Sequence, residues 1–322
     1  MNRANIQRIT RRHNYLLALL LLIIALGINW YLQDNLFEQR VLGNNLRTWL
    51  SLIVITVGQT IVIIGGGIDL SVGAIVSMSN AILVTLILPD SPPEQVFLGI
   101  IMATGAGVLA GAFNGWCTAY LRLQPIITTY ATSFVYAGIA LLILPRPGGS
   151  FPMDMLRTYR RMAPFGIPLT VFIIIGVIVF WIILRTTRYG QFLYATGGKF
   201  ESAYATGIAV NRVRFSTYLW SGFFSAMAAL ALTMNVGTGN PRIGDAMTLD
   251  SVVAVVLGGT RLSGGQGGVV GSIIGVIILG TIRNIISFAN VPTWSQTLVD
   301  ALIIIAALAG PGVVRFARRR VA

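Results

Sequence analysis

Apolar runs approaching 20 residues, separated by short polar segments, recur along the whole of this chain. A helix of that length can cross the ~30 Å hydrocarbon core of a bilayer. The runs are continuous and do not alternate, which argues against a β-barrel. The pattern predicts about ten spans, with limits near 14–33, 46–65, 71–88, 95–120, 126–144, 166–184, 213–234, 247–258, 268–288 and 297–314. The fold class expected is therefore an all-α polytopic membrane protein with residues 1–322 forming a single transmembrane domain. Arg3, Arg8, Arg11 and Arg12 precede the first run as they would in a signal peptide, with Ala25-Leu26-Gly27 as a weak cleavage site. The spans that follow favour an uncleaved first helix.

The pattern breaks most sharply at Gly65-Gly66-Gly67-Ile68-Asp69-Leu70-Ser71-Val72-Gly73, between two apolar runs. Each glycine weakens a helix by about 1 kcal/mol relative to alanine, and an ionisable group at membrane depth costs more. A second break, Gly258-Gly259-Thr260-Arg261-Leu262-Ser263-Gly264-Gly265, shares with Gly66–Ser71 the frame Gly-Gly-x-charge-Leu-Ser. Glycine-interrupted segments in both halves of a transporter point to its translocation path. Gly66, Gly67, Asp69, Ser71, Gly73, Gly258, Gly259 and Arg261 are accordingly candidate hinge or gate residues. Asp69 and Arg261 have opposite signs, so one reading pairs them across the path. The other lets Asp69 cap the helix beginning near Leu70 while Arg261 snorkels to the interface.

Small residues also recur at every fourth position, at Gly99, Ala103, Gly107, Gly111 and Gly115 in the fourth span and at Gly267, Gly271 and Gly275 in the ninth. This step keeps them on one helical face, where they permit close helix packing or line a pathway.

Composition supports the membrane reading. The 322 residues are 55% hydrophobic and 10% charged, too little polar surface to cover a soluble core. The net charge of +13 could suggest nucleic acid, but the 23 Lys and Arg are scattered between spans. Most fall on one side if both termini are cytoplasmic, which suits an even span count. Cys117 and His13 are the only residues of their kinds, which excludes an internal disulfide and leaves no His/Cys zinc set.

Two connections carry possible contacts. The outer loop 145–165 holds Arg157, Arg160 and Arg161, suited to an acidic partner protein, to anionic lipid headgroups or merely to solvent. The inner loop 185–214 holds a short predicted helix over 199–206, bounded by Gly197-Gly198 and Gly207, which is either a connector or a handle for a cytoplasmic partner.

The run Gly66–Gly73 resembles the signature of permease subunits of ribose-type ABC sugar importers. The resemblance continues in order through Gly111-Ala112-Phe113-Asn114-Gly115, Pro125-Ile126-Ile127-Thr128-Thr129, Ala195-Thr196-Gly197-Gly198, Ala203–Ile208 and Leu249-Asp250 to Thr260. It implies a compact fold like that of the vitamin B12-type importers. It also implies a second permease copy or a sister permease, an ATP-binding cassette subunit and a periplasmic or lipid-anchored solute-binding protein. Lys199, Glu201, Ser202, Ala203 and Gly207 would form the coupling helix that seats on the ATPase. Lys199 stands where these permeases usually have asparagine, Tyr130 where leucine is common, and Ala137 where arginine is frequent.

No phosphate-binding loop is present, since Gly198-Lys199 is followed by Phe200. ATP and Mg would be bound by the partner ATPase, and the chain needs no metal or catalytic residue of its own. The expected function is import of a monosaccharide or sugar-like solute across the bacterial inner membrane. Asn114, Thr128, Thr129 and Asn284 are pathway candidates, and each could equally hydrogen-bond a neighbouring helix. Arg157, Arg160 and Arg161 are candidates for binding-protein docking. The alternatives are an ion-coupled secondary transporter using Asp69, Asp250 or Asp300, and a membrane scaffold.

Overall fold

The computed structural model describes residues 16–289 and a few single positions beyond them. Among these residues the chain forms α-helices and one 3-10 turn, with no strand. The helices are α1 Leu16–Leu32, α2 Gln39–Ile64, α3 Val72–Leu86, α4 Pro93–Ala119, α5 Pro125–Ile143 and α6 Met153–Arg161. They continue with α7 Leu169–Thr186, α8 Arg188–Gly198, α9 Phe200–Ala205, α10 Val210–Val236, α11 Asp245–Leu257 and α12 Val269–Phe288. Each predicted span up to 268–288 coincides with a helix. The tenth, 297–314, lies outside the described residues but for single positions, and the N-terminal arginines, His13 and Asp300 lie outside them altogether.

Among the described residues, six helices (α2, α4, α5, α7, α10 and α12) are long and apolar enough to cross a membrane. Of the about ten spans expected, these six meet that length. At 1.5 Å per residue, α3 and α11 extend only about 20 Å, short of the bilayer core. Each is instead reached by a non-helical stretch, 67–71 for α3 and 237–244 for α11. The loops also hold more helix than predicted. α6 lies in the 145–165 connection, and α8 precedes the short helix α9, which falls where it was expected.

α2–α3 and α10–α11 are inverted copies of one unit. α2 and α10 lie antiparallel, so that a Cβ on Gly58 would stand 3.0 Å from the Ser221 Cα and one on Gly65 2.9 Å from the Thr217 methyl. Both long helices are left through a left-handed glycine, Gly66 at φ 83° and Gly237 at φ 84°. Three residues later, Asp69 and Asn240 each accept the backbone N–H two residues on, from Ser71 and Arg242, at 2.9 Å. Four residues further, Gly73 and Gly244 meet, each backbone standing where the other's Cβ would be. Their N–H groups donate reciprocally, Gly73 to the Thr248 hydroxyl (3.1 Å) and Gly244 to the Ser77 hydroxyl (2.9 Å). The sequence separation is the same for Gly66 and Gly237, Asp69 and Asn240, Gly73 and Gly244, and Ser77 and Thr248.

The structural counterpart of Gly65–Gly73 is thus the stretch before α11, not the Gly258–Gly265 break proposed from sequence. Those two breaks look alike because each follows a helix C-terminus with the same local cap. Gly67 donates to the Val62 carbonyl, and Thr260 donates to the Val255 carbonyl.

The small-residue stripes pack helices. On α4, Gly107 and Gly111 admit the backbone of α10 at Gly222 and Tyr218. On α12, Gly271 and Gly275 admit α11, whereas Gly267 lies in the loop before the helix.

Candidate functional site: a buried carboxylate and a glycine junction

The first part of the site follows from how α3 begins. Beyond Gly66 the chain runs non-helically through Ile68 and Asp69, and the Asp69 carboxylate is wholly buried. Its Oδ1 accepts the Ser71 N–H (2.9 Å) and the Ser71 hydroxyl (2.6 Å), and its Oδ2 accepts the Ser221 hydroxyl (2.8 Å). The chain of bonds continues outward. Asn114 Nδ2 donates to Ser71 Oγ at 2.7 Å, and Asn114 Oδ1 accepts from the Thr132 hydroxyl at 2.7 Å and the Tyr136 hydroxyl at 3.1 Å. Thr129 Oγ1 accepts the Leu70 N–H at 3.0 Å. One buried network therefore ties the start of α3 to α4, α5 and α10. Such a network is stable only when its members are satisfied, and orphaning one costs roughly 1–3 kcal/mol.

Asp69 does not pair with Arg261. The serines occupy both carboxylate oxygens, and Arg261 is exposed in the α11–α12 loop, where its N–H donates to the Gln266 carbonyl (3.1 Å). Asp69 instead closes an Asx turn that leads into α3.

The two breaks nevertheless meet, through backbone. Gly265 N–H donates to the Ile64 carbonyl at the end of α2 (2.9 Å). The tail of α8 crosses the same point, where a Cβ on Gly197 would stand 1.7 Å from the Ile64 oxygen and 2.8 Å from the Gly265 nitrogen. Tyr194 on α8 adds a hydrogen bond from its hydroxyl to the Gly267 carbonyl (2.6 Å). Only glycine lets the ends of α2 and α8 and the α11–α12 loop come this close. The Gly197-Gly198 pair was a visible signal for this; the role of Ser221, Thr132 and Tyr136 in the carboxylate network had none.

α9 begins two residues after the junction. Ala203 is buried and the Arg214 guanidinium lies 5.8 Å over the Phe200 ring, which hold the helix to α10. Lys199, Glu201, Ser202 and Tyr204 are exposed, and Gly207 turns the chain away at φ 82°. The result is a short ridge fixed to the point where the end of α2 meets the loop that follows α11.

The other predicted residues are dispersed. Thr128 turns its hydroxyl to the Gln124 carbonyl on its own helix, and Asn284 is half-buried on α12. At the opposite end of the molecule, Arg157 and Arg161 are exposed on α6, while Arg160 donates to the Asn235 carbonyl at 2.7 Å. One ion pair was not foreseen. Arg283 on α12 reaches Asp250 on α11 at 2.8 Å.

The model of a permease family, described as branched-chain amino acid transport system / permease component, matches residues 41–308. The chain belongs to this permease family. Curated relatives cover nearly all of it. A ribose import permease protein of Bacillus subtilis is 33% identical over 91% of this chain and 90% of its own. A fructose import permease protein of Rhizobium meliloti is 30% identical over 90% of this chain and 82% of its own. The autoinducer 2 import system permease protein of an Escherichia coli strain is 27% identical over 94% and 93%. No solved structure matches the permease. With its apolar helices, membership places it among multi-pass membrane proteins of transport systems.

Proposed function

We propose that this permease is the transmembrane subunit of an ATP-driven ABC importer, translocating a monosaccharide or sugar-like solute across the bacterial inner membrane. The observation that carries the reading is the exposed α9 ridge fixed to the glycine junction. A partner that pushes on α9 moves the end of α2 and the α11–α12 loop together, one from each inverted unit. The sugar relatives supply the substrate class.

In this assignment α8 and α9 lie in the cytoplasm with both chain termini, and α6 faces outward. An ATP-binding cassette subunit holding ATP and Mg docks on Lys199, Glu201 and Ser202, with Ala203 and Gly207 setting the shape of the ridge. A solute-binding protein meets Arg157 and Arg161, and a second permease copy or sister permease completes the path. Gly66, Gly67 and Gly73 serve as hinge positions on one unit and Gly258 and Gly259 on the other. Asn114 and Thr129 hold the helices that shape the path, while Thr128 and Asn284 are the candidates to face it. The short inverted α3 and α11 support an architecture of the vitamin B12 type. An ion-coupled mechanism gains nothing from the site, since Asp69 is filled by serine donors and Asp250 is met by Arg283.

Reconstitution into vesicles with the matching ATPase and binding protein tests this. Sugar uptake should require ATP on the α9 side and be lost, with ATPase binding, when residues 199–207 are replaced by a flexible linker. Uptake driven by a proton or sodium gradient without ATP would overturn the assignment.

A further inference from the structure

At the α6 end, two adjoining clefts have contrasting chemistry. The first, of about 270 Å³, is lined by Arg40, Arg47, Arg160, Tyr159 and Thr170 among others. The second, of about 420 Å³, is almost wholly apolar and runs between α2, α7 and α10 beneath α6. Leu50, Val54, Val177, Phe223 and Met234 form its walls. Tyr159 belongs to both.

The cationic cleft gathers positive charge with no carboxylate among its lining residues. Arg47 is spent on the Arg160 carbonyl (2.8 Å) and the Asn44 side chain, and Arg160 on the Asn235 carbonyl, so neither has its charge neutralised. Arg40 is exposed, and no carboxylate lines the cleft; Asp154 lines a neighbouring opening. The hydroxyls of Tyr159 (7% exposed) and Thr170 (1% exposed) are buried there with no hydrogen-bond partner among the described residues. A buried hydroxyl normally finds one. Burial pushes the Tyr159 phenol up to about 12, against the pull of Arg47, so it keeps its proton and can donate.

The apolar cleft has the depth of one leaflet. Phe223 and Met234 lie eleven residues apart on α10, about 16 Å along the helix, and half of a ~30 Å core is about 15 Å. Its upper end is the cationic cleft.

We propose that these clefts together form a site for an anionic phospholipid of the outer leaflet, with its phosphate among Arg40, Arg47 and the Tyr159 hydroxyl and one acyl chain between α7 and α10. The charge selects the headgroup, and the channel beneath accepts a chain only from a molecule lying in the membrane. An acidic protein would satisfy the arginines but leave the apolar cleft empty. A second permease copy would fill the apolar cleft but leave the arginines unmatched.

The test uses the full-length permease purified in detergent, with phosphatidylglycerol and phosphatidylcholine of identical acyl chains, read by native mass spectrometry and by melting temperature. Phosphatidylglycerol should be retained in preference by roughly thirtyfold, from the charge of the two arginines. Arg40→Gln, at an exposed side chain, should reduce the preference, and Tyr159→Phe, which removes a donor to the phosphate that both lipids share, should reduce retention of both. Ala231→Trp, which fills the apolar cleft, should abolish retention of both lipids while the protein stays folded and its oligomeric state unchanged. Equal retention of the two lipids by the unaltered protein, a preference that survives Arg40→Gln, or retention of both lipids unchanged by Tyr159→Phe would overturn the site. So would an Ala231→Trp variant that alters the oligomeric state and leaves lipid retention as it was.

Discussion

Adjacent residues at the glycine junction differ in what they tolerate. A Cβ on Gly197 would stand 1.7 Å from the Ile64 carbonyl oxygen, whereas one on Gly198 meets nothing within 4 Å. Gly197→Ala should therefore cost about 3 kcal/mol, the scale of overpacking against rigid backbone. Gly198→Ala should change stability by less than about 0.5 kcal/mol. Thermal unfolding of the two purified variants separates them, and equal losses would mean that the three chain segments do not meet as described. Asp69 offers a second contrast. Asp69→Asn keeps an oxygen for the Ser71 N–H, as Asn240 does for Arg242 in the other unit, and should cost about 1 kcal/mol. Asp69→Ala leaves the Ser71 N–H and the Ser221 hydroxyl without their acceptor inside the protein and should cost roughly 2–4 kcal/mol. If the asparagine variant melted as low as the alanine one, the charge of Asp69 and not its turn geometry would be what matters.

Among the elements, α3 and α11 touch at their N-terminal ends through Gly73 and Gly244, where neither backbone leaves room for a methyl group on the other. Gly73→Ala and Gly244→Ala should each force the two short helices apart. Because one separation relieves both clashes, the double variant should lose clearly less stability than the two single losses added together; strict additivity would place the two glycines out of contact. The same elements show what could be read from the chain. Hydrophobic runs located the long helices because burial in lipid demands about 20 apolar residues. They could not show that the helices within 71–88 and 247–258 are short, since a short helix packed inside protein is as apolar as a full span. α8 was hidden because Gly190, Gly197 and Gly198 lower its helix propensity, and it is held by packing, with Leu193 fully buried and the Thr187 side chain accepting the Gly190 N–H. The likeness of the two breaks in the sequence has a related cause. Gly-Gly after an apolar run is the signature of any glycine-capped helix end, so Gly258-Gly259 imitates Gly65-Gly66. The structural counterparts keep Gly66 with Gly237, Asp69 with Asn240, Gly73 with Gly244 and Ser77 with Thr248. What persists is what the turn requires, a left-handed glycine, an oxygen acceptor and a close helix crossing, while the residues between have diverged.

For the whole molecule, the inverted arrangement makes the two ends mechanical counterparts. At one end, Gly265 and the tail of α8 close over the end of α2. At the other, the α5–α6 connection closes over the end of α10. Phe151 N–H donates to the Gly237 carbonyl at 3.0 Å, and Gly148 and Gly239 exchange two hydrogen bonds at 2.9 Å. Between the ends, the Gly73–Gly244 contact joins the units at the entrance to both short helices. If the units rock about that contact, loosening one end tightens the other, and a partner acting on α9 changes access at both. Single cysteines placed at exposed Ser263 and Thr238, with buried Cys117 replaced by alanine, can report this through a membrane-impermeant maleimide applied from each side. Trapping the assembled complex with nucleotide and vanadate should change the labelling rates of the two positions in opposite directions, by about threefold to tenfold, an equilibrium shift of about 1 kcal/mol. A change of the same sign at both positions would mean that the protein loosens or tightens as a whole. Rocking about the Gly73–Gly244 crossing would then be the wrong description of how this permease opens its path.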